Sequence, residues 1–242
     1  MDAILIKGLT KQYKDVLAVD HLSLSVGEGE LFSLLGINGA GKTTLIKMLS
    51  CLTAPTEGDA FLNGKSILTE PTGVKSQIAV SPQETAVAPG LTAEENLKLI
   101  CGIHGFPKEK TAQKLRELTT LLHLDPILKR KAGKLSGGWQ RRLSIAMALI
   151  SEPKILFLDE PTLGLDVLAR SELWDIIRSL KGKITIVLTT HYMEEAEALS
   201  DRVAILKEGR LLICDTVKRI KEVGGTQNFE EAFIRIVKEA KS

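Results

Sequence analysis

The order of apolar and polar positions predicts a chain in which strands and helices alternate. Leu22, Leu24 and Val26 alternate with serines, which is the period expected of a strand with one buried face. A mostly apolar run from residue 30 to 35 ends at Gly36, and a helical pattern follows from Lys42 to about residue 51. A buried strand, a glycine and then a helix are typical of an α/β protein.

The middle of the chain, roughly residues 85–150, predicts a helical insertion. Thr92 and Glu95 have the spacing of a capping box at a helix start. Leucines recur at helical spacing within residues 108–122, and residues 136–150 predict a third helix with Ser136 as its N-cap.

Strand character returns after residue 150. The runs 155–158 and 184–188 are continuous and β-rich, as expected of buried parallel strands, and a helix over 166–180 between them predicts a βαβ unit. Two short apolar runs around Glu208-Gly209 predict a late hairpin. The tail from Asn228 to Lys241 has one apolar stripe and is expected to pack on the parent domain.

Composition narrows the class of protein. Hydrophobic residues make up 44% of the 242 positions and charged residues 26%, which provides enough apolar material for a core and excludes a chain disordered throughout. A net charge of +2 and 4% aromatic residues do not favour a dedicated nucleic-acid binder.

The chain has three cysteines, which lie far apart in the sequence. This favours buried thiols in a reducing cytosol over disulfides or a zinc site. No secretory signal is visible at the start, and no apolar run reaches the ~18 residues of a membrane span.

The sharpest local pattern is a phosphate-binding loop. Residues 36–43 fit G-x-x-x-x-G-K-T and lie between an apolar strand and a helix. Glycines turn successive N–H groups inward, and the helix start adds positive potential. Lys42 can reach the β- and γ-phosphates, Thr43 can ligate Mg²⁺, and Thr44 can contact the α-phosphate. The expected nucleotide-binding residues of this loop are Gly36, Asn38, Gly39, Ala40, Gly41, Lys42, Thr43 and Thr44.

Two adjacent acids follow the strand at 155–158. Acids at such a place often just end a strand at the solvent. Ligand sites of α/β sheets gather at the carboxyl ends of strands, however, and a phosphate loop precedes these acids. We therefore expect Asp159 to hold Mg²⁺ and Glu160 to polarise an attacking water.

A second anion-binding helix start is predicted at Ser136, Gly137 and Gly138. The glycines expose backbone N–H groups at the start of a helix, but no lysine or magnesium ligand accompanies them. Taken alone, this segment is better explained as a capped helix with a flexible start.

These motifs in this order resemble the ATP-binding subunit of ABC transporters. The phosphate loop, Leu135-Ser136-Gly137-Gly138-Trp139-Gln140, the Ile155–Glu160 string and a later His191 carry the resemblance, which covers nearly the whole chain. It implies an α/β fold, namely a P-loop NTPase (RecA-like) core with an antiparallel β-subdomain and an inserted helical subdomain. Within one ABC ATPase domain, 1–242, we expect the core and β-subdomain at about 1–84 and 151–215. The helical subdomain is expected at about 85–150, and a C-terminal helical tail at about 216–242.

The resemblance also assigns roles to residues that mean little alone. It implies that Tyr13 stacks on adenine, that Gln83 touches Mg²⁺ and links the two lobes, and that Asp166 acts across a dimer. It makes His191 the histidine that contacts the γ-phosphate. Without the family, Tyr13 would be a packing residue, Gln83 a solvated loop residue and His191 an ordinary strand-end residue.

The wider pattern is most like the ABC-2 exporter type, whose membrane subunit handles drugs, lipids, polysaccharides or ions. Two departures are Leu163, where the family often has Ser, and Val167, where it often has Pro; they put a hydroxyl contact of this loop in doubt. The chain is also short for that subgroup, which often carries a longer C-terminal extension.

The resemblance implies ATP hydrolysis, with ATP and Mg²⁺ as substrate and cofactor. Two copies, or one copy and a close paralogue, pair head to tail, so that Ser136–Gly138 of one closes over the ATP at Lys42 of the other. We expect a separate transmembrane permease to dock near the loop of Gln83 and the helical insertion and to hold the subunit, cytoplasmic and peripheral, on the inner face of the cell membrane. Val87, Ala88, Pro89 and Leu91 would form the apolar part of that face, although they are as readily explained as core residues. No nucleic-acid partner is expected.

Several other classes of ATPase are alternatives to this one. A soluble assembly ATPase, as in iron–sulfur cluster building, stays open as an alternative because it fits the length. A DNA-acting relative would need a long coiled coil, and a ribosome-acting one usually carries two such domains in one chain. A kinase with a phosphate loop would leave the LSGGWQ segment and His191 without a role.

Overall fold

The protein is described from a computed structural model, over residues 1–240. One of its two sheets is antiparallel and is ordered β2-β1-β4-β5. Its strands are β1 (Asp2–Tyr13), β2 (Val16–Gly27), β4 (Glu57–Leu62) and β5 (Lys65–Ser66). The alternation at Leu22–Val26 lies in β2, where Leu22 and Val26 are buried and the intervening serines are not.

The larger sheet is ordered β10-β9-β3-β8-β7-β6 and is parallel except for β10, which runs antiparallel to β9 at one edge. Its strands are β3 (Leu31–Leu35), β6 (Ile78–Ser81), β7 (Ile155–Asp159), β8 (Thr185–Thr190), β9 (Arg202–Lys207) and β10 (Arg210–Asp215). Every residue of β3, β7 and β8 is buried, as the continuous apolar runs predict for strands covered on both faces. The predicted hairpin around Glu208-Gly209 is the β9–β10 pair.

Helices cover both faces of this sheet. They are α1 (Lys42–Leu49), α2 (Pro71–Lys75), α3 (Ala93–Ile103), α4 (Lys108–Leu121), α5 (Gly137–Leu149), α6 (Val167–Leu180), α7 (Met193–Leu199), α8 (Val217–Val223) and α9 (Phe229–Glu239). The capping box at the start of α3 is confirmed, since Thr92 and Glu95 bond reciprocally. The prediction that Ser136 caps α5 is wrong in one respect, because Ser136 occupies the N-cap position but its hydroxyl bonds no backbone N–H there.

The core divides into apolar clusters on either side of the large sheet. One joins the antiparallel sheet, α1 and one face of β3, β7 and β9. A second joins α3–α6 to the opposite face, and a third lies under α7–α9. Phe229, Ala232 and Phe233 of the amphipathic tail are buried in this third cluster, as the stripe predicts; Lys241 and Ser242 lie outside the described residues.

None of the helices in residues 1–240 is both long and apolar enough to cross a bilayer.

Candidate functional site at three strand ends

The sheet order brings three predicted motifs to one edge. β8 lies between β3 and β7, and all three are parallel. The loop after β3, the acids at the end of β7 and His191 after β8 therefore meet at the carboxyl ends of neighbouring strands, where α/β sheets bind ligands.

The phosphate loop has the backbone that its glycines were expected to allow. Gly41, the residue before α1, has φ 97°, a left-handed conformation that glycine adopts without strain. A Cβ at this position would also lie 2.4 Å from the carbonyl oxygen of Ala18. Glycine is therefore required here for two independent reasons, and the loop turns straight into the helix start.

Lys42 is the central cation of the site. Its ammonium donates to the carbonyl oxygens of Gly36 at 2.6 Å and Ile37 at 3.3 Å, so it folds back over the loop. Burial lowers the pKa of Lys42, and the nearby Glu160 carboxylate, with its oxygen 3.6 Å from Nζ, opposes that shift. A cation that is partly stripped of water interacts more strongly with an anion that replaces the water.

Thr43 and Asp159 are joined by a hydrogen bond. The Thr43 hydroxyl donates to the Asp159 carboxylate at 3.2 Å, and Asp159 is buried. Thr189 at the end of β8 donates to the same carboxylate at 2.5 Å. No role for Thr189 was predicted from the sequence, although a polar residue at the end of a buried strand could have indicated one.

Glu160 lies between Lys42 and His191. Its backbone is left-handed, with φ 46°, which is unusual for a residue other than glycine and often marks a functional position. The N–H of Glu160 is held by the hydroxyl and the carbonyl of Thr189 at 3.0 and 3.1 Å. Its carboxylate lies 3.2 Å from Nδ1 of His191. The two atoms are in contact but do not form a hydrogen bond, and Nδ1 is a buried atom with no hydrogen-bond partner among the described residues.

These groups fit a nucleotide with Mg²⁺. The hydroxyl and carboxylate oxygens of Thr43 and Asp159 are the hard donors that Mg²⁺ prefers. Lys42 and the N–H groups of a glycine loop at a helix start suit phosphate, and the orphaned Nδ1 of His191 lacks a partner that a phosphate oxygen would supply.

The remaining predicted residues lie around this cluster. Ala40 is buried, Thr44 is half-buried, and Asn38 and Gly39 are exposed. Tyr13 ends β1 with 43% of its surface exposed, so its ring is free to stack.

The Ser136–Gly138 segment lies apart from the phosphate loop. A Cβ on Gly137 or Gly138 would meet Leu165 at 3.7 Å or Ala169 at 3.1 Å, so this segment lies beside the loop that leads into α6. Within residues 1–240, the hydrogen bonds and ion pairs of Lys42 and Thr43 include none of its residues. Asp166 caps α6 by accepting from the N–H of Ala169 at 2.9 Å.

Gln83 lies in an exposed loop, yet its backbone is held. The carbonyl oxygens of Pro82 and Gln83 both accept from Arg141 of α5. No role for Arg141 was predicted from the sequence.

A buried acid behind the site was also missed. Glu195 of α7 is fully buried, and its Oε1 accepts from Nε1 of Trp174 at 3.0 Å. Its Oε2 has no partner among the described residues. Burial raises the pKa of Glu195, with hydrogen bonds opposing the shift.

Comparison with known proteins gives a consistent result. The profile of the ABC transporter family matches residues 19–163. The doxorubicin resistance ATP-binding protein DrrA of Mycobacterium tuberculosis is 40% identical over 226 residues, which cover 92% of this chain and 68% of that protein. ATP-binding cassette sub-family A member 2 of Rattus norvegicus is 43% identical over 226 residues, covering 91% of this chain but 9% of that much longer protein.

Solved structures agree with these sequence matches. An ATP-binding subunit of an ABC transporter superposes with a TM-score of 0.85 at 29% identity, over 97% of this chain and 99% of that one. A dimeric ATP-binding cassette in a post-hydrolysis state, bound to ADP and phosphate, superposes with a TM-score of 0.79 at 28% identity, over 88% of this chain and 98% of that one. The P-loop NTPase fold, the grouped strand-end motifs and these matches together show that the chain belongs to the ABC transporter family, as an ATP-binding subunit with ATPase activity coupled to transport.

Proposed function

We propose that this chain hydrolyses Mg²⁺·ATP between two copies of itself, or between itself and a close paralogue, and so drives a membrane exporter. The observation that carries the proposal is the grouping of Lys42, Thr43, Asp159, Glu160 and His191 at one sheet edge. Together these residues supply the cation, the hydroxyl and the carboxylates that hydrolysis of a magnesium-bound nucleoside triphosphate uses.

In this proposal the phosphate loop binds the triphosphate and the strand-end acids serve the reaction. The loop N–H groups and Lys42 hold the phosphates, and Tyr13 stacks on the base. Thr43 and Asp159 hold Mg²⁺, with Gln83 as a further contact; when bound, the ion neutralises charge that builds on the phosphates.

Glu160 acts as the general base. Its backbone N–H is held by Thr189, and its carboxylate lies between Lys42 and His191. There it can orient a water molecule and take its proton. His191 holds the γ-phosphate. Most of the rate comes from position and charge, because phosphoryl transfer asks little covalent chemistry of the protein.

The second anion-binding segment supports a two-chain site. Ser136–Gly138 lies beside Leu165 and Ala169 rather than at its own phosphate loop, so its exposed helix start is available to a nucleotide on another chain. Asp166, Val167 and Leu168 are exposed next to it, which suits contact across the pair. The solved ATP-binding cassettes that are dimeric support the pairing of two chains.

Export and a membrane location are the less direct part of the proposal. The drug-resistance relative supports export as the direction, and a permease would hold the subunit on the inner face of the cell membrane. Docking near residues 87–91 stays a proposal. Val87 packs partly against the α3–α6 cluster, so a charged residue there would also weaken the fold.

Capture of the partner tests this function. We would tag Glu160→Gln, add ATP and Mg²⁺ to solubilised native membranes, and identify co-purifying proteins by mass spectrometry, with Lys42→Ala/Glu160→Gln as the control that cannot hold ATP. Recovery of a multi-span membrane protein supports the exporter proposal. Recovery of soluble assembly proteins alone would favour the iron–sulfur type of ATPase and overturn it.

A further inference from the structure

A buried arginine on α5 holds the loop that carries Gln83. The guanidinium of Arg141 donates to the carbonyl oxygens of two consecutive residues, Pro82 and Gln83, at 2.5 Å each. Only 5% of Arg141 is exposed, and no ion pair joins it to a carboxylate in the part of the chain that the structure describes. The planar fork of arginine donors suits two neighbouring acceptors.

Burial of the Arg141 guanidinium has a desolvation cost. A buried cation without a paired anion loses its hydration, and burial lowers the pKa of Arg141, while the Asp159 and Glu195 carboxylates favour its charged form. The two carbonyl oxygens are what replaces water on this group. An apolar residue would fill the same space at a smaller desolvation cost, so packing alone does not account for an arginine here.

Neighbouring side chains of α5 hold the same loop. The buried hydroxyls of Ser144 and Ser81 lie 3.1 Å apart, and Thr85 donates to Oε1 of Gln140 at 3.3 Å. Gln140 and Arg141 lie four and three residues before Ser144, so each neighbours it on the helix surface. Residues 81–85 are therefore fastened along the first two turns of α5.

The same helix also holds the segment before the Ser-Gly-Gly motif. Nε2 of Gln140 donates to the carbonyl oxygens of Ala132 and Leu135 at 3.1 and 3.3 Å. One pair of adjacent side chains, Gln140 and Arg141, thus joins the loop of Gln83 to the backbone that presents Ser136–Gly138.

We propose that Arg141 is a positioning residue that keeps the loop of Gln83 and the Ser136–Gly138 segment in one fixed geometry, so that displacement of one displaces the other. The inference rests on the proposed two-chain site, in which these two segments face different nucleotides. It predicts that loss of Arg141 weakens closure of the pair more than it weakens ATP binding.

The test uses the full chain in the Glu160→Gln background. Arg141→Met is expected to leave the ATP dissociation constant of the monomer within about twofold, because the phosphate loop is untouched. The ATP concentration for half-maximal dimer, measured by light scattering, should rise at least tenfold. Arg141→Lys keeps the positive charge but not the planar pair of donors. Its half-maximal ATP concentration should lie between those of Glu160→Gln alone and of Arg141→Met. The matched control is Arg116→Met, which removes an exposed arginine of α4 and should change neither quantity.

Two further measurements separate positioning from general stability. Amide hydrogen exchange in residues 82–88 should rise in Arg141→Met while that of the phosphate loop stays unchanged. Adding Gln83→Ala to Arg141→Met should raise the half-maximal ATP concentration no further than the stronger single variant. Equal losses of ATP binding and dimer formation, additive effects, or unchanged exchange at 82–88 would overturn the inference.

Failure of the two-chain site itself would look different. If Glu160→Gln stays monomeric with ATP, the proposed function fails, and the exchange of residues 82–88 alone decides whether Arg141 holds this loop. If Arg141→Met does not fold, Arg141→Lys decides by the same readouts.

Discussion

At the residue scale, two buried ionisable groups near the site are held in different ways. Lys42 is buried beside Glu160, so its lowered pKa is partly restored by a partner of opposite charge. Glu195 is buried with Trp174 as its hydrogen-bond donor and one oxygen unpartnered among the described residues. Burial raises its pKa, and the hydrogen bond from Trp174 and the charge of Arg170 oppose that shift. Burial therefore acts against the charged form of both groups, and a carboxylate beside Lys42 opposes it there.

The pKa of Glu195 makes stability depend on pH. An unfolded glutamate releases its proton near pH ~4.3, while folded Glu195 keeps it to a higher pH. The folded state therefore loses stability as pH rises from the ordinary value through the raised one, by about 1.4 kcal/mol for each unit between them. Glu195→Gln, which keeps an oxygen for Trp174, should be the more stable protein above this window and lose its advantage below it.

Urea unfolding between pH 4 and pH 9 checks this prediction. The exposed neighbour Glu194 supplies the control, since Glu194→Gln should change the free energy of unfolding by less than about 0.5 kcal/mol at every pH. A loss of stability in Glu195→Gln that is equal at all pH values would show that Glu195 is held as a carboxylate.

How far residues could be predicted depends on whether their partners are local. The phosphate loop and the acids after β7 were found because strand, loop and helix follow one another along the chain. Glu195 was not found, since Glu194, Glu195 and Glu197 look alike in sequence and only packing of α7 on α6 buries the middle one. Arg141 was missed for the same reason, because its acceptors lie about sixty residues away.

At the element scale, the sequence predicted that the C-terminal segment is helical but not which elements it packs against. The stripe of α9 predicted an amphipathic helix, and Phe229 and Phe233 are buried against α7 and α8. The place of β4 in the antiparallel sheet was harder to predict from the sequence, because β4 pairs with β1, which lies far earlier in the chain. Pairings between distant segments leave no short-range pattern.

Adjacent residues of α9 measure what its packing contributes. Phe233→Ala removes a ring that is 5% exposed and should cost about 3 kcal/mol or more in unfolding free energy. Ile234→Ala, at a position 39% exposed, should cost less than about 1 kcal/mol. Chemical denaturation of both variants gives the comparison, and equal losses would mean that the stripe does not anchor this helix.

At the scale of the whole molecule, the two halves of the proposed nucleotide site lie apart in one chain. Lys42, Glu160 and His191 lie at one sheet edge, while Ser136–Gly138 lies beside the loop into α6. Head-to-tail pairing would complete two sites at once, so hydrolysis should depend on assembly. The fold thereby offers a means of coupling nucleotide binding to motion between chains.

The most direct test is the mass of Glu160→Gln with and without ATP, measured by light scattering alongside phosphate release. We expect ATP to double the mass from the 26.4 kDa of one chain, and phosphate release to be at least ~100-fold slower than that of the unsubstituted chain because the general base is lost. Normal phosphate release by Glu160→Gln would contradict the role of Glu160. A chain that binds ATP and stays at the monomer mass would contradict the two-chain site.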